Sequence, residues 1–141
     1  MSMTLKRRSN PTAELLRRLP AFKGHDDRSL TRLATLVDVI DLEAAQVLTH
    51  EGHTGRESFL VIEGWADVAV RGATVATLGP GQLVGEMAML DHQPRTATVT
   101  ARTPMTVLVI GPQNFESFCA DPAVSRMIAV GLSERLRRIE S

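Results

Sequence analysis

Two hydrophobic spacings divide the chain into three stretches. In the first, Leu30, Leu33, Ala34 and Val37 fall at the i, i+3, i+4, i+7 spacing of one helical face. Ahead of them, Asn10-Pro11 reads as an N-cap and first helical position, so a short helix is predicted through Leu15, Leu16 and Leu19, ending at Pro20. Asp26-Asp27 marks the start of the second helix. From Val37 to Ile110 the apolar runs shorten: Val37–Leu42, Val47–Thr49, Phe59–Ile62, Ala66–Val70, Thr74–Leu78, Thr96–Ala101 and Val107–Ile110. Val99 and Ala101 alternate with Thr98 and Thr100, the period-2 signature of a strand with one buried face. Glu63-Gly64 and Arg71-Gly72 sit where hairpin turns are needed.

Helical spacing returns after Gly111-Pro112, with Phe115, Phe118 and Cys119 on one face. Asp121-Pro122 then opens a final helix, whose stripe of Val124, Ile128, Leu132, Leu136 and Ile139 lies opposite Arg126, Glu134 and Arg137. The predicted fold class is mainly β with flanking helices (α+β): an antiparallel β-roll or jelly roll of about eight strands, with helices before and after. Residues 1–13 are expected to be a flexible tail and residues 14–141 one domain.

Composition narrows the function classes. With 141 residues, 43% of them hydrophobic, the chain fills one domain with one core. Its formal net charge of zero lacks the basic surplus that drives phosphate-backbone binding, so nucleic-acid binding by this chain alone is not expected. The single cysteine, Cys119, allows no intrachain disulfide and fits a reducing compartment. No signal-like start precedes the domain, and no run approaches the roughly 18 to 20 apolar residues of a membrane span. A soluble cytoplasmic protein without membrane contact is expected.

The stretch from Gly79 to Ala101, GPGQLVGEMAMLDHQPRTATVTA, carries the candidate chemistry. Gly79, Gly81 and Gly85 permit tight turns and close approach of backbone to a ligand. One helical turn from Gly85 through Glu86, Met87, Ala88 and Met89 would present unpaired amides to an anion. Arg95 supplies a guanidinium suited to bidentate phosphate contact, and Glu86 a carboxylate suited to a sugar hydroxyl. Amides and an arginine for phosphate, with a carboxylate for ribose, describe a nucleotide site. Taken by chemistry alone, the same residues also fit a turning loop and a surface ion pair contributing under about 1 kcal/mol.

The segment GEMAMLDHQPRTATV resembles the phosphate-binding cassette of cyclic-nucleotide-binding domains, the family that includes bacterial cyclic-AMP receptor proteins, protein kinase regulatory domains and nucleotide-gated channels. The family pattern, Gly-Glu-apolar-Ala-apolar-Leu and then Pro-Arg-small-Ala-Thr, is matched here without a gap. The segment VLTHEGHTGRESFLVIEGWADV, with Gly52, Gly55 and Gly64, and the flanking helices follow the family's order, so the resemblance runs from about residue 14 to 141. It implies that Arg95 pairs with the exocyclic oxygens of a cyclic phosphate and that Glu86 binds the ribose 2′-hydroxyl. It gives the amides of Gly85, Met87 and Ala88 a share in holding phosphate and ribose. Thr96 is implied beside the phosphate within reach of the base, and Leu83 and Val84 against sugar or base. The ligand would be cyclic AMP, with cyclic GMP the other candidate, and no cofactor is implied.

Other constellations compete less well. His50, His53 and Glu57 lie before Gly64 in an order similar to the first metal motif of cupins, but the spacing is HxxH and no histidine follows Pro80-Gly81. Cys119 on an apolar face reads as a core thiol, and Trp65 as ordinary packing. No catalytic or metal-binding residue is assigned. The expected role is a regulatory module that signals by repositioning its C-terminal helices. It would act on a protein partner or effector domain, with weak homodimerisation through the last helix as a secondary role. A cupin-like metal-dependent enzyme and a protein-interaction domain without nucleotide are the alternatives.

Overall fold

The computed structural model describes residues 10–85 and 92–140. The first helix, α1 (Pro11–Arg17), starts where Asn10 caps it: the Asn10 side chain accepts hydrogen bonds from the amides of Thr12 (3.0 Å) and Ala13 (3.2 Å). Ala13, assigned to the tail on sequence grounds, is buried, so the packed unit begins ahead of residue 14. A 3₁₀ turn, Pro20–Phe22, follows and buries Phe22. Helix α2 (Asp27–Ala34) is capped by Asp26, which accepts from the Ser29 amide at 2.8 Å. That bond holds the Asp26 carboxyl below the usual range. Its support of α2 is therefore complete above the unfolded-state pKa and is lost as pH falls through the lower folded value.

Eight strands follow: β1 (Asp38–Leu42), β2 (Val47–Thr49), β3 (Ser58–Glu63), β4 (Ala66–Val70), β5 (Ala73–Leu78), β6 (Leu83–Val84), β7 (Thr98–Ala101) and β8 (Met105–Ile110). They form two four-stranded antiparallel sheets, ordered β1-β8-β3-β6 and β2-β7-β4-β5. This is the expected roll of eight antiparallel strands with flanking helices. The short β6 was not foreseen, because it falls inside the glycine-rich stretch read as a loop.

Hydrophobic burial divides at the first sheet. Phe59 and Val61 of β3, with Val107 and Val109 of β8, face the roll interior beside Val84, Val99 and Ala101. Their neighbours Leu60, Ile62, Leu108 and Ile110 face the other way, into a core shared with the helices. Both faces of β3 and β8 are thus covered, which is why these strands read as unbroken apolar runs where β7 alternates.

The second core is completed by Leu16, Phe22, Leu30, Phe118 and Val124. Helix α3 (Pro112–Cys119) contributes Phe115 and Phe118. Helix α4 (Pro122–Glu140) is capped by Asp121, whose Oδ1 accepts from the amides of Ala123 (2.9 Å) and Val124 (3.3 Å). The other Asp121 oxygen lies 2.8 Å from His25 Nε2, tying the start of α4 to the N-terminal helical segment. Of the stripe expected on α4, Val124 is buried and Ile128 and Leu132 are half-buried; the side chains of Leu136 and Ile139 lie outside those described. No described helix is long and apolar enough to cross a membrane.

The two hairpin glycines are constrained differently. Arg71 (φ 53°) and Gly72 (φ 82°) make a two-residue turn open to solvent, with nothing within 4 Å of a Cβ at Gly72. Gly64 (φ 91°) sits under the β7–β8 connection, and a Cβ there would lie 2.2 Å from the Pro104 carbonyl oxygen. Gly64→Ala is expected to cost about 2–4 kcal/mol, left-handed strain plus a backbone collision. Gly72→Ala should cost about 1–2 kcal/mol, the strain alone. Urea midpoints at constant m-value measure both; equal losses would refute the collision at Gly64.

Candidate functional site

The glycine-rich stretch leaves β5, turns at Gly79–Gly81 and returns as β6, which pairs with β3 through Phe59↔Val84 and Leu60↔Leu83. Strand alternation then separates two residues expected together against a sugar or base. Val84 points into the roll interior, whereas Leu83 joins the helix-facing core. One strand cannot present adjacent side chains to the same face, so Leu83 and Val84 lie on opposite sides of the sheet. Gly85 follows with φ 84°, the left-handed conformation that glycine adopts without steric cost. Glu86, Met87 and Ala88, and the helical turn expected through them, lie outside the described residues.

Arg95 re-enters ahead of β7. Its amide donates to the His53 carbonyl at 2.9 Å, and its carbonyl accepts from the Gly52 amide at 2.8 Å, so its backbone is locked to the turn at residues 50–53. Its side chain is buried, with 9% of the residue exposed. Nη1 donates to the Gly85 carbonyl (3.0 Å) and Nη2 to the Glu57 carbonyl (2.5 Å). A buried cation is tolerable only where its donors are met, and two main-chain carbonyls meet two of them here.

The space around the guanidinium is made by absent side chains. A Cβ at Gly85 would fall 2.1 Å from Nη1, and one at Gly55 would fall 1.7 Å from Nε. Thr96, next to Arg95, is exposed, and Thr98 turns its hydroxyl to the Glu51 amide at 3.0 Å. Gly85, Val84, Arg95 and Thr96 therefore gather at one end of the roll, where β6 and β7 meet the β2–β3 turn.

The competing constellations are placed elsewhere or used otherwise. His50 and His53 stack on each other, ring centroids 5.1 Å apart. Among the described residues, no three His, Cys, Asp or Glu side chains converge in a way that could hold a metal ion. Glu57, weighed on sequence grounds as a ligand side chain, serves the site through its carbonyl. Cys119 is half-buried against the helical core. Trp65 lies half-exposed across Gly79, where a Cβ would meet its ring at 2.4 Å. Sequence reasoning assigned no role to Gly55 or to the Glu57 carbonyl. A main-chain acceptor leaves no trace in residue identity, and Gly55 was visible only as one glycine among several.

Comparison with known proteins points one way. The family model for the cyclic nucleotide-binding domain matches residues 39–121. The chain is 35% identical over 104 residues to a cAMP-dependent protein kinase regulatory subunit of Eremothecium gossypii, covering 73% of this chain and 23% of that protein. It is 25% identical over 131 residues to a CRP-like cAMP-activated global transcriptional regulator of Mycobacterium tuberculosis, covering 89% and 58%. The fold superposes on the regulatory domain of Toxoplasma gondii PKA with cAMP at a TM-score of 0.73 and 20% identity, covering 93% of this chain and 52% of that one. The chain thus spans about a quarter of the one curated relative and somewhat over half of the other.

Proposed function

Because the chain belongs to the cyclic nucleotide-binding domain family, we propose that it binds cyclic AMP at the Arg95 end of the roll and passes that binding on through its last helix. The observation that carries this reading is the buried, pre-positioned guanidinium between Gly55 and Gly85. A side chain already held in place loses little rotational freedom on binding, and a dry site strengthens its attraction for an anion. Support for the ligand comes from a relative of the same fold that holds cAMP.

In this reading Arg95 pairs with the exocyclic phosphate oxygens, and Glu86 accepts from the ribose 2′-hydroxyl. The amides of Gly85, Met87 and Ala88 complete the phosphate and ribose contacts. Val84 lines the interior side, and exposed Thr96 is free to turn its hydroxyl to phosphate or base. No residue is given a catalytic role, and the ligand is released unchanged.

The output is assigned to α4. Its first turn is fixed by Asp121 and Val124, but farther along Met127 is half-buried and Val130 is 50% exposed. Beneath it an open groove of about 440 Å³ runs between Ala21, Gln82 and Leu83 on one side and Met127 and Gly131 on the other. Such a helix has room to dock more deeply, and the groove's far wall is β6, the strand that leads into Gly85. Nucleotide would shift the helix through unequal affinity for its two positions. The signal would then reach a protein partner or effector domain, with weak self-association through α4 as a secondary outlet.

Three measurements test the reading. Calorimetry should show cyclic AMP binding, and Arg95→Ala should cost about 2–5 kcal/mol, roughly 30- to several-thousand-fold in affinity. Wild-type affinity in that variant would remove the phosphate assignment. In competition, cyclic AMP should bind at least as tightly as cyclic GMP, and a tenfold preference for the latter would reverse the choice of base. Hydrogen exchange should slow at amides between Met127 and Ile139 when nucleotide is saturating. Identical rates with and without it would exclude the helix as the output.

A further inference from the structure

We infer that Gly55 is a positioning residue for the arginine of this site: its missing side chain is the seat in which the Arg95 guanidinium lies. The inference rests on the cyclic-nucleotide reading only for its effect on affinity; the seat itself rests on contacts within the chain.

Glycines are usually retained for backbone reasons, and the neighbouring Gly52 is one of these, with φ 83° and nothing within 4 Å of a Cβ. Gly55 is different. Its backbone is not left-handed, so the main chain at this point would accept any residue. What it cannot accept is the volume. A Cβ at position 55 would stand 1.7 Å from Arg95 Nε, 2.1 Å from Cζ and 2.4 Å from Nη2. No guanidinium can stay in place at these distances, and since the atoms met are the far end of a long side chain, the cost depends on what holds that end where it is.

Nor can the guanidinium slide away within its plane. Nη1 and Nη2 are bonded to the carbonyls of Gly85 and Glu57, and Nη1 already fills the place of a Gly85 Cβ, at 2.1 Å. The group therefore occupies a slot bounded by two glycines and fixed by two carbonyls. Even a methyl group at position 55 would expel it and break both bonds. Misplacing a binding group by an ångström or so is enough to lose about a hundredfold in the step that depends on it. Gly55 would thus govern affinity without an atom of its own touching the nucleotide.

A double-mutant cycle separates this from a general loss of structure. Gly55→Ala, Arg95→Ala and the double variant are compared with wild type, and Gly24→Ala, in open space, serves as the control for a bare glycine replacement. In thermal unfolding without ligand, Gly55→Ala should lower the midpoint by about 3–8 °C and Gly24→Ala should not. In the Arg95→Ala background, where the slot is vacant, Gly55→Ala should leave the midpoint unchanged. In calorimetry with cyclic AMP, Gly55→Ala should weaken binding by about ten- to a hundredfold and add nothing to Arg95→Ala. Additive effects in the unfolding cycle, or wild-type affinity in Gly55→Ala, would overturn the inference. If wild type itself fails to bind cyclic AMP, the proposed function falls, and the unfolding cycle alone decides whether Gly55 seats the arginine.

Discussion

The architecture depends on the double burial of β3 and β8. Each carries four consecutive apolar residues, and the strand geometry sends them alternately to opposite faces. One set closes the roll interior and the other forms the floor on which α1, α2, α3 and α4 pack. Neither layer could exist without the other. A one-sided sheet would expose Leu60, Ile62, Leu108 and Ile110 to water, and helices without that floor would have nothing to cover. Burying each such side chain contributes about 1.5–3 kcal/mol, and here each strand contributes to both cores.

The site grows out of the same sheet. Strand β6 is only two residues long, yet its pairing with β3 fixes where the chain emerges at Gly85. The β2–β3 turn ends on the same strand and delivers Gly55 and the Glu57 carbonyl to the same place. Arg95, arriving from the far side of the loop, meets both. Three segments thus supply a slot, two acceptors and a cation, and both of these acceptors are main-chain carbonyls. A seat of this kind has little freedom to adjust, because carbonyls held in paired strands move only with the sheet.

The terminal helix stands in contrast. Its start is over-determined: Asp121 caps it and pairs with His25, and Val124 is buried without exposure. Farther along, Met127 and Ile128 are half-buried, Val130 is exposed, and a groove opens beneath them. In the proposed reading, a start held this firmly would set the pivot for any shift of the helix. The groove wall formed by Leu83, on the outer face of β6, gives the site and the helix a strand in common.

Much of this was legible in the residues. The helix starts at Asn10-Pro11, Asp26 and Asp121-Pro122, the turns at Gly64 and Gly72, and the alternation of β7 follow from local rules that act over a few residues, and each stands where the spacing placed it. Membership of the cyclic nucleotide-binding domain family was likewise recognisable, because the motif that carries it is written in the sequence. What the sequence left open depends on contacts between distant segments. Leu83 and Val84 look equivalent until pairing with β3 assigns them to opposite cores. β6 itself has too few residues to announce a strand without its partner. The roles of Gly55 and the Glu57 carbonyl arise from where the backbone passes, and a main-chain oxygen or a missing methyl acquires a function only when folding brings a guanidinium to it.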